Sequence, residues 1–253
     1  MNEQEFYVGY LPKASSGIAR TVRMTVGFLL LIAVIVAAGF AVVQRTFAPS
    51  FFEFGKVRSF EGFLETKPYP TLLVRRPGTA NGQLPYSRYL LVATGKHGAD
   101  SQVAAFAGKH IQLRGSLIYR GGQTMVELVT GSIIALPDAE APIERTTSLD
   151  AQELTGEIVD SKCNFGVMNP GEGKVHRDCA VRCLSGGIPP AFVTQNLMGA
   201  PAVLLLVGPG QEPLNKDVFL KYVAQPVRFR GAVLKTGDTL LFAVDPASLT
   251  LLR

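Results

Sequence analysis

Four side chains able to bind metals or do thiol chemistry fall within one short stretch of this sequence: Cys163, His176, Cys179 and Cys183. They include all 3 cysteines of the chain and one of its 3 histidines. The stretch runs from Leu154 to Pro190 and reads LTGEIVDSKCNFGVMNPGEGKVHRDCAVRCLSGGIPP. Three thiolates and an imidazole make a complete donor set for a tetrahedral ion such as Zn2+. Monovalent copper competes for the same set, because thiolates and thioethers select it and Met168 lies in the same loop as a further donor. Asp160 precedes Cys163 by one turn and is placed to hydrogen-bond His176 and hold its ring. It would serve equally as an acceptor for loop amides.

The elements that must position these groups are readable around them. The strand-like run Glu157 to Asp160 leads into Cys163, a Gly/Pro/Asn-rich loop follows from Asn164 to Gly173, and Lys174 to Leu184 reads as a short helix. On a helix His176, Cys179 and Cys183 stand at i, i+3 and i+7 and share one face. Gly186-Gly187 then ends the helix and Pro189-Pro190 prevents its resumption.

The same residues admit two other chemistries. In an oxidising compartment three cysteines suggest one bridge and one leftover thiol, with Cys163 joined to Cys179 or Cys183 to staple the loop. A Cys179–Cys183 bridge is disfavoured, since i,i+4 positions on a regular helix rarely meet disulfide geometry. Alternatively, His176 beside Cys179 lowers a thiol pKa and makes a redox-active thiolate, although there is no C-x-x-C. Lys162, Lys174 and Arg177 make the loop cationic. His97 and His110 have no cysteine partners; an exposed loop position suits the first and a structural role the second. No Ser/His/Asp set, paired catalytic carboxylates or phosphate loop is present, so no catalytic residues are assigned.

The C-x3-C pair with a separate histidine resembles the copper site of the Sco assembly proteins. That likeness covers only Cys179, Cys183 and His176, and the chain lacks the thioredoxin-like βαβ pattern of that family. Binuclear copper centres are similar in part, but Gly187 and Pro190 stand where a histidine and a methionine would follow Cys183. There is no C-x-x-C-H for covalent haem. The whole stretch, with its D-x-K-C, G-x-G-K-x-H, C-A-x-x-C and G-G-I-P-P elements, resembles a motif of uncharacterised bacterial membrane-anchored or exported proteins. That likeness implies a class rather than a mechanism.

Outside this stretch, Met24 to Val43 is free of charge and lies between Arg23 and Arg45. An apolar run of about 20 residues is long enough to span a bilayer, and it exceeds the roughly 7–15 residues of a cleavable signal core. It therefore reads as an uncleaved anchor. A short basic tail before one early span favours export of the bulk of the chain: single-pass in a bacterial inner membrane, with the rest periplasmic. Charge is modest at +5, with 25 Lys+Arg against 20 Asp+Glu and no longer basic run than Arg75-Arg76. Without Trp, and without aromatics interleaved with basic residues, nucleic-acid binding has no support.

The remainder reads as β structure: strands over Ser59 to Thr66, Tyr69 to Arg75, Arg88 to Thr94, Lys109 to Arg120 and Thr124 to Leu128, with a short helix over Ser101 to Ala107. The plan then recurs. Glu61-Gly62-Phe63-Leu64 matches Thr155-Gly156-Glu157-Ile158, and Leu90-Leu91-Val92 with Gly95 matches Leu205-Leu206-Val207 with Gly208. Gln112 to Gly115 matches Arg228 to Gly231, and Gly121 matches Gly237. The second copy is longer, and the Cys/His stretch accounts for much of the gain. These features predict a mostly β protein with one N-terminal transmembrane helix and two tandem OB-like barrels, the second carrying the insertion. The expected boundaries are a cytoplasmic tail 1–23, an anchor 24–43, a connector 44–58 with several phenylalanines, a first barrel 59–136, a linker 137–150, and a second barrel 151–253 with the insertion at 160–190. The expected function is a metal centre, zinc or copper, of Cys163, His176, Cys179 and Cys183 in an accessory subunit of a membrane redox or metal-handling system. A disulfide-stapled interaction subunit of a membrane complex and a thiol–disulfide oxidoreductase are the alternatives.

Overall fold

The structure, a computed structural model, describes residues 14–44, 49–77, 86–137, 139 and 141–252. Most of the tail and Phe47 of the connector lie outside these residues. The chain forms two compact units, residues 1–48 and 49–253. The first contains α1 (Ser16–Gln44), a helix that begins ahead of the uncharged run and includes Arg20 and Arg23. Its apolar side chains are exposed along their length, and a helix so long and apolar suits a membrane span or a secretion signal.

The second unit is β. Its strands are β1 (Ser50–Phe52), β2 (Arg58–Glu65), β3 (Thr71–Arg75), β4 (Tyr86–Val92), β5 (His110–Arg120), β6 (Gln123–Leu128), β7 (Ile134–Ala135) and β8 (Thr146–Asp160), with the one-turn helix α2 (Asp100–Val103) between β4 and β5. After β8 come α3 (Arg177–Ser185), β9 (Pro190–Leu197), β10 (Ala200–Val207), α4 (Lys216–Phe219), β11 (Pro226–Thr236), β12 (Thr239–Val244) and β13 (Thr250–Leu251). β2, β3, β4, β6 and β5 pair in that order, and β5 returns to β2, closing a small barrel. β8, β9, β10, β12 and β11 close a second in the same way. In each barrel the third and fifth strands run parallel, Leu91 opposite Val126 and Leu206 opposite Phe242. The two small five-stranded barrels of the repeat are therefore present, with the same connectivity.

The matched glycines do matching work. A Cβ on Gly62 would stand 2.3 Å from the Leu73 oxygen, and one on Gly156 would stand 2.2 Å from the Val193 oxygen. Only glycine lets the long first strand coil this closely over its neighbour. Gly121 and Gly237 turn the last hairpin of each barrel at φ 56° and 57°. The strand β8 starts at Thr146, so residues 146–150 of the segment read as linker belong to the second barrel, with Thr146 opposite Thr236 on β11. An extra residue in β8 near Asp150, whose φ is 52°, shifts the register there.

Leu64, Leu72, Leu91, Ile111 and Val126 fill the first barrel. Ile158, Phe192, Leu206, Phe229 and Phe242 fill the second. A third apolar cluster lies between them and contains Leu90 and Val92 of β4, Met125 of β6, Leu205 and Val207 of β10, and Leu241 and Ala243 of β12. Side chains alternate along a strand, so the uninterrupted runs Leu90-Leu91-Val92 and Leu204 to Val207 fill a barrel with one face and the seam with the other. Around this seam the Tyr69 hydroxyl donates to the Leu206 carbonyl at 2.5 Å, and Arg76 pairs with Asp238 at 2.8 Å.

Candidate metal centre

Residues 161–189 link the first two strands of the second barrel, where residues 66–70 suffice in the first. The base of this insertion is tied: Asp160 pairs with Pro190 at the end of the ladder, and the Ser161 N–H donates to the Pro189 carbonyl at 3.2 Å. Cys163 opens a wide turn, Cys163–Val167, closed by the Met168 N–H on the Cys163 carbonyl at 3.1 Å. Phe165 in this turn is buried in the seam with Cys163, Cys183 and Ile188. The insertion is thus packed between the two barrels.

Lys174–His176 form one 3-10 turn before α3 begins at Arg177. His176 closes this turn and reaches back to Asp160 at the end of β8. Its Nε2 lies 2.9 Å from Asp160 Oδ2. The other Asp160 oxygen accepts the Cys163 N–H at 2.8 Å. Asp160 thus grips the imidazole and the turn together.

The sulfurs of Cys163, Cys179 and Cys183 all lie within 4.8 Å of one another, and a donor atom from each of Asp160, Cys163 and His176 does likewise. The four sequence candidates therefore form two overlapping groups that share Cys163. Met168 is 44% exposed at the end of its turn. None of the three cysteines is in a disulfide. Cys163 and Cys183 are buried, and Cys179 is half-buried.

The first barrel completes the site. The Lys96 ammonium lies 2.7 Å from the Cys179 sulfur and 3.7 Å from that of Cys183. Contact with Cys179 raises the Lys96 pKa, which keeps its charge firmly in place. Lys162, read in sequence as a loop cation, is instead buried in the seam. Its ammonium pairs with Glu127 and donates to the carbonyls of Ala93 at 2.9 Å and Gly95 at 2.6 Å. Lys162 so fixes the loop that presents Lys96. The Gly98 N–H donates to the Gly186 carbonyl at 3.0 Å, and a Cβ on Gly186 would stand 1.8 Å from the Lys96 oxygen. Gly186-Gly187 ends α3, as its sequence implies, and also lets the first barrel's loop approach the site.

The closeness of Cys163 and Cys183 shifts the two thiols in opposite directions. It lowers the Cys183 thiol to about 7, helped by Lys96, and burial adds to it in raising the Cys163 thiol. His97 is exposed, and His110 stacks on Phe63 and pairs with Glu61 at 3.2 Å, so neither joins the centre. Lys96 carried no metal-ligand signal in the sequence. Its position after a strand of the seam, Leu90 to Val92, was the one available pointer.

The fold and site define a class: a two-barrel β protein with a buried thiol cluster in the seam and an apolar N-terminal helix. No protein family, curated protein or solved structure matches the chain.

Proposed function

We propose that the three sulfurs bind one thiophilic ion, Zn2+ or Cu+, in a membrane-anchored accessory protein of a redox or metal-handling system. The observation carrying this reading is the mutual approach of all three sulfurs within 4.8 Å without a disulfide. Metal–sulfur bonds of about 2.3 Å set three sulfurs about 3.8–4.0 Å apart around one ion, a spacing that falls inside that limit. Three thiolates suit Cu+ directly. For Zn2+ the fourth donor is His176, which shares Cys163 with the cluster and has Asp160 behind it, the usual arrangement of a ligating histidine. α1 supports an anchor in a bacterial inner membrane, with the barrels on the periplasmic side.

The test is metal content and free-thiol count on the full chain, purified from membranes without chelator. One Zn or Cu per chain, lost in Cys163→Ser, is expected. A metal-free chain with two thiols oxidised to a bridge would overturn the reading in favour of a stapled docking subunit. An exported reporter fused after Arg253 tests the orientation.

A further inference from the structure

The three sulfurs are not equivalent, and the difference bears on what the centre does with its ion. Cys163 and Cys183 are 3% and 2% exposed and lie in the apolar seam. Cys179 is the one half-buried member, and the Lys96 ammonium holds it at 2.7 Å. Lys96 is itself held through its loop, whose carbonyls at 93 and 95 are pinned by buried Lys162. An ammonium so close to a ligand sulfur stabilises a free thiolate more than one whose charge is already drawn onto a cation.

We propose, resting on the metal-binding reading above, that the centre is a transfer site for Cu+. Cys163 and Cys183 form the retained pair, and Cys179 is the exchangeable ligand that Lys96 receives when the ion leaves. Cu+ accepts two sulfur donors as readily as three, whereas Zn2+ requires four ligands, so a released third ligand is a copper device. The exchange is a substitution with no electron transfer. A sulfur of the acceptor bonds to the ion as the bond to Cys179 breaks and the Cys179 thiolate returns to the Lys96 N–H; further acceptor sulfurs then displace Cys183 and Cys163 in turn, one bond to the ion made for each one broken, until the acceptor alone holds it. The acceptor is accordingly a protein presenting thiolate or thioether donors to the half-buried Cys179 side of the cluster.

The experiment loads the full chain in detergent with Cu+ and follows transfer to neocuproine, an uncharged chromogenic chelator that Lys96 cannot steer. Loss of this charge-assisted hydrogen bond in Lys96→Ala should slow transfer by about tenfold or more, with Lys96→Arg restoring most of the rate. Cys179→Ser should still bind Cu+ and lose it faster than the unaltered chain, while Cys163→Ser and Cys183→Ser should fail to load. Equal loss of loading in all three cysteine variants, or an unchanged rate in Lys96→Ala, would overturn transfer while leaving a static metal site intact. Failure of the unaltered chain to load any ion would remove the metal-binding reading itself, and this proposal with it.

Discussion

His176 and Asp160 meet at 2.9 Å with both side chains closed to solvent. They bind the start of the insertion to the turn before α3, because Asp160 ends β8 and also accepts the Cys163 N–H. Asp160→Ala leaves two donors without an acceptor. Leaving a buried donor unsatisfied costs about 1–3 kcal/mol. Urea unfolding of the metal-free chain should register a loss of that order, and Asp160→Asn, which keeps an acceptor for Cys163, a smaller one. Equal midpoints for Asp160→Ala and the unaltered chain would show that the pair holds nothing.

The Lys162 ammonium has Glu127 and two backbone carbonyls as partners in the seam. Lys162→Met fills the space but leaves the half-buried Glu127 carboxylate without its partner, a change worth a few kcal/mol. Lys162→Met with Glu127→Leu removes both charges and should recover most of that loss. The Lys96 loop would still lack its anchor in the double variant. Hydrogen exchange at residues 94–98 should therefore remain faster than in the unaltered chain even where global stability returns.

Gly186→Ala places a methyl group 1.8 Å from the Lys96 carbonyl. The clash is with backbone, so the loop or the end of α3 must move. Overpacking of this kind costs about 1–3 kcal/mol. The displacement also draws Lys96 away from Cys179, so alkylation of Cys179 by an uncharged reagent should change in the variant. Gly122→Ala, where a Cβ meets nothing within 4 Å, is the control.

Both barrels and the insertion were legible in the sequence because each barrel needs glycine at the same close approaches, and Gly62/Gly156 and Gly121/Gly237 register directly. The seam was half-legible. Leu90-Leu91-Val92 and Leu204 to Val207 are continuous apolar runs, and such runs signal burial on both faces without naming what covers the second. Nothing local marks Lys162 as buried, since its partners Glu127, Ala93 and Gly95 come from the other barrel. Reading Lys174 to Leu184 as one helix assumes one uniform winding. The 3-10 turn over Lys174–His176 breaks that assumption, and Asp160, distant in sequence, decides where the ring goes.

The proton asymmetry between Cys163 and Cys183 has a pH signature in the metal-free chain. Cys183 is lowered from 9.0 to about 7, first by its closeness to Cys163 and then by Lys96. A lowered acid contributes stability that is complete above its unfolded value and disappears as pH falls through its folded one. Stability from this group should rise between about pH 7 and 9 and be lost below. Cys163, raised by the same closeness and by burial, acts oppositely: it stays protonated in the fold and lowers stability once the unfolded thiol ionises above pH 9.0. Thiolate ultraviolet absorbance should show one step near pH 7, absent in Cys183→Ser. A first step at pH 9 in the unaltered chain would contradict the arrangement.

Binding to the folded chain must stabilise it, because the unfolded chain holds its three cysteines at no fixed distance. The gain is about 4 kcal/mol when free ion reaches a thousandfold excess over Kd, less whatever affinity the unfolded thiols retain. Thermal unfolding under anaerobic conditions should therefore shift upward with added Cu+ or Zn2+ and return on chelation. The shift should vanish in Cys163→Ser, since Cys163 is the donor shared by both groups. The two ions separate at His176: His176→Ala should abolish most of the Zn2+ shift, because a fourth ligand is lost, yet leave the Cu+ shift nearly whole, because three sulfurs remain. A Cu+ shift that disappears with His176 would make the histidine a required ligand and the transfer geometry untenable.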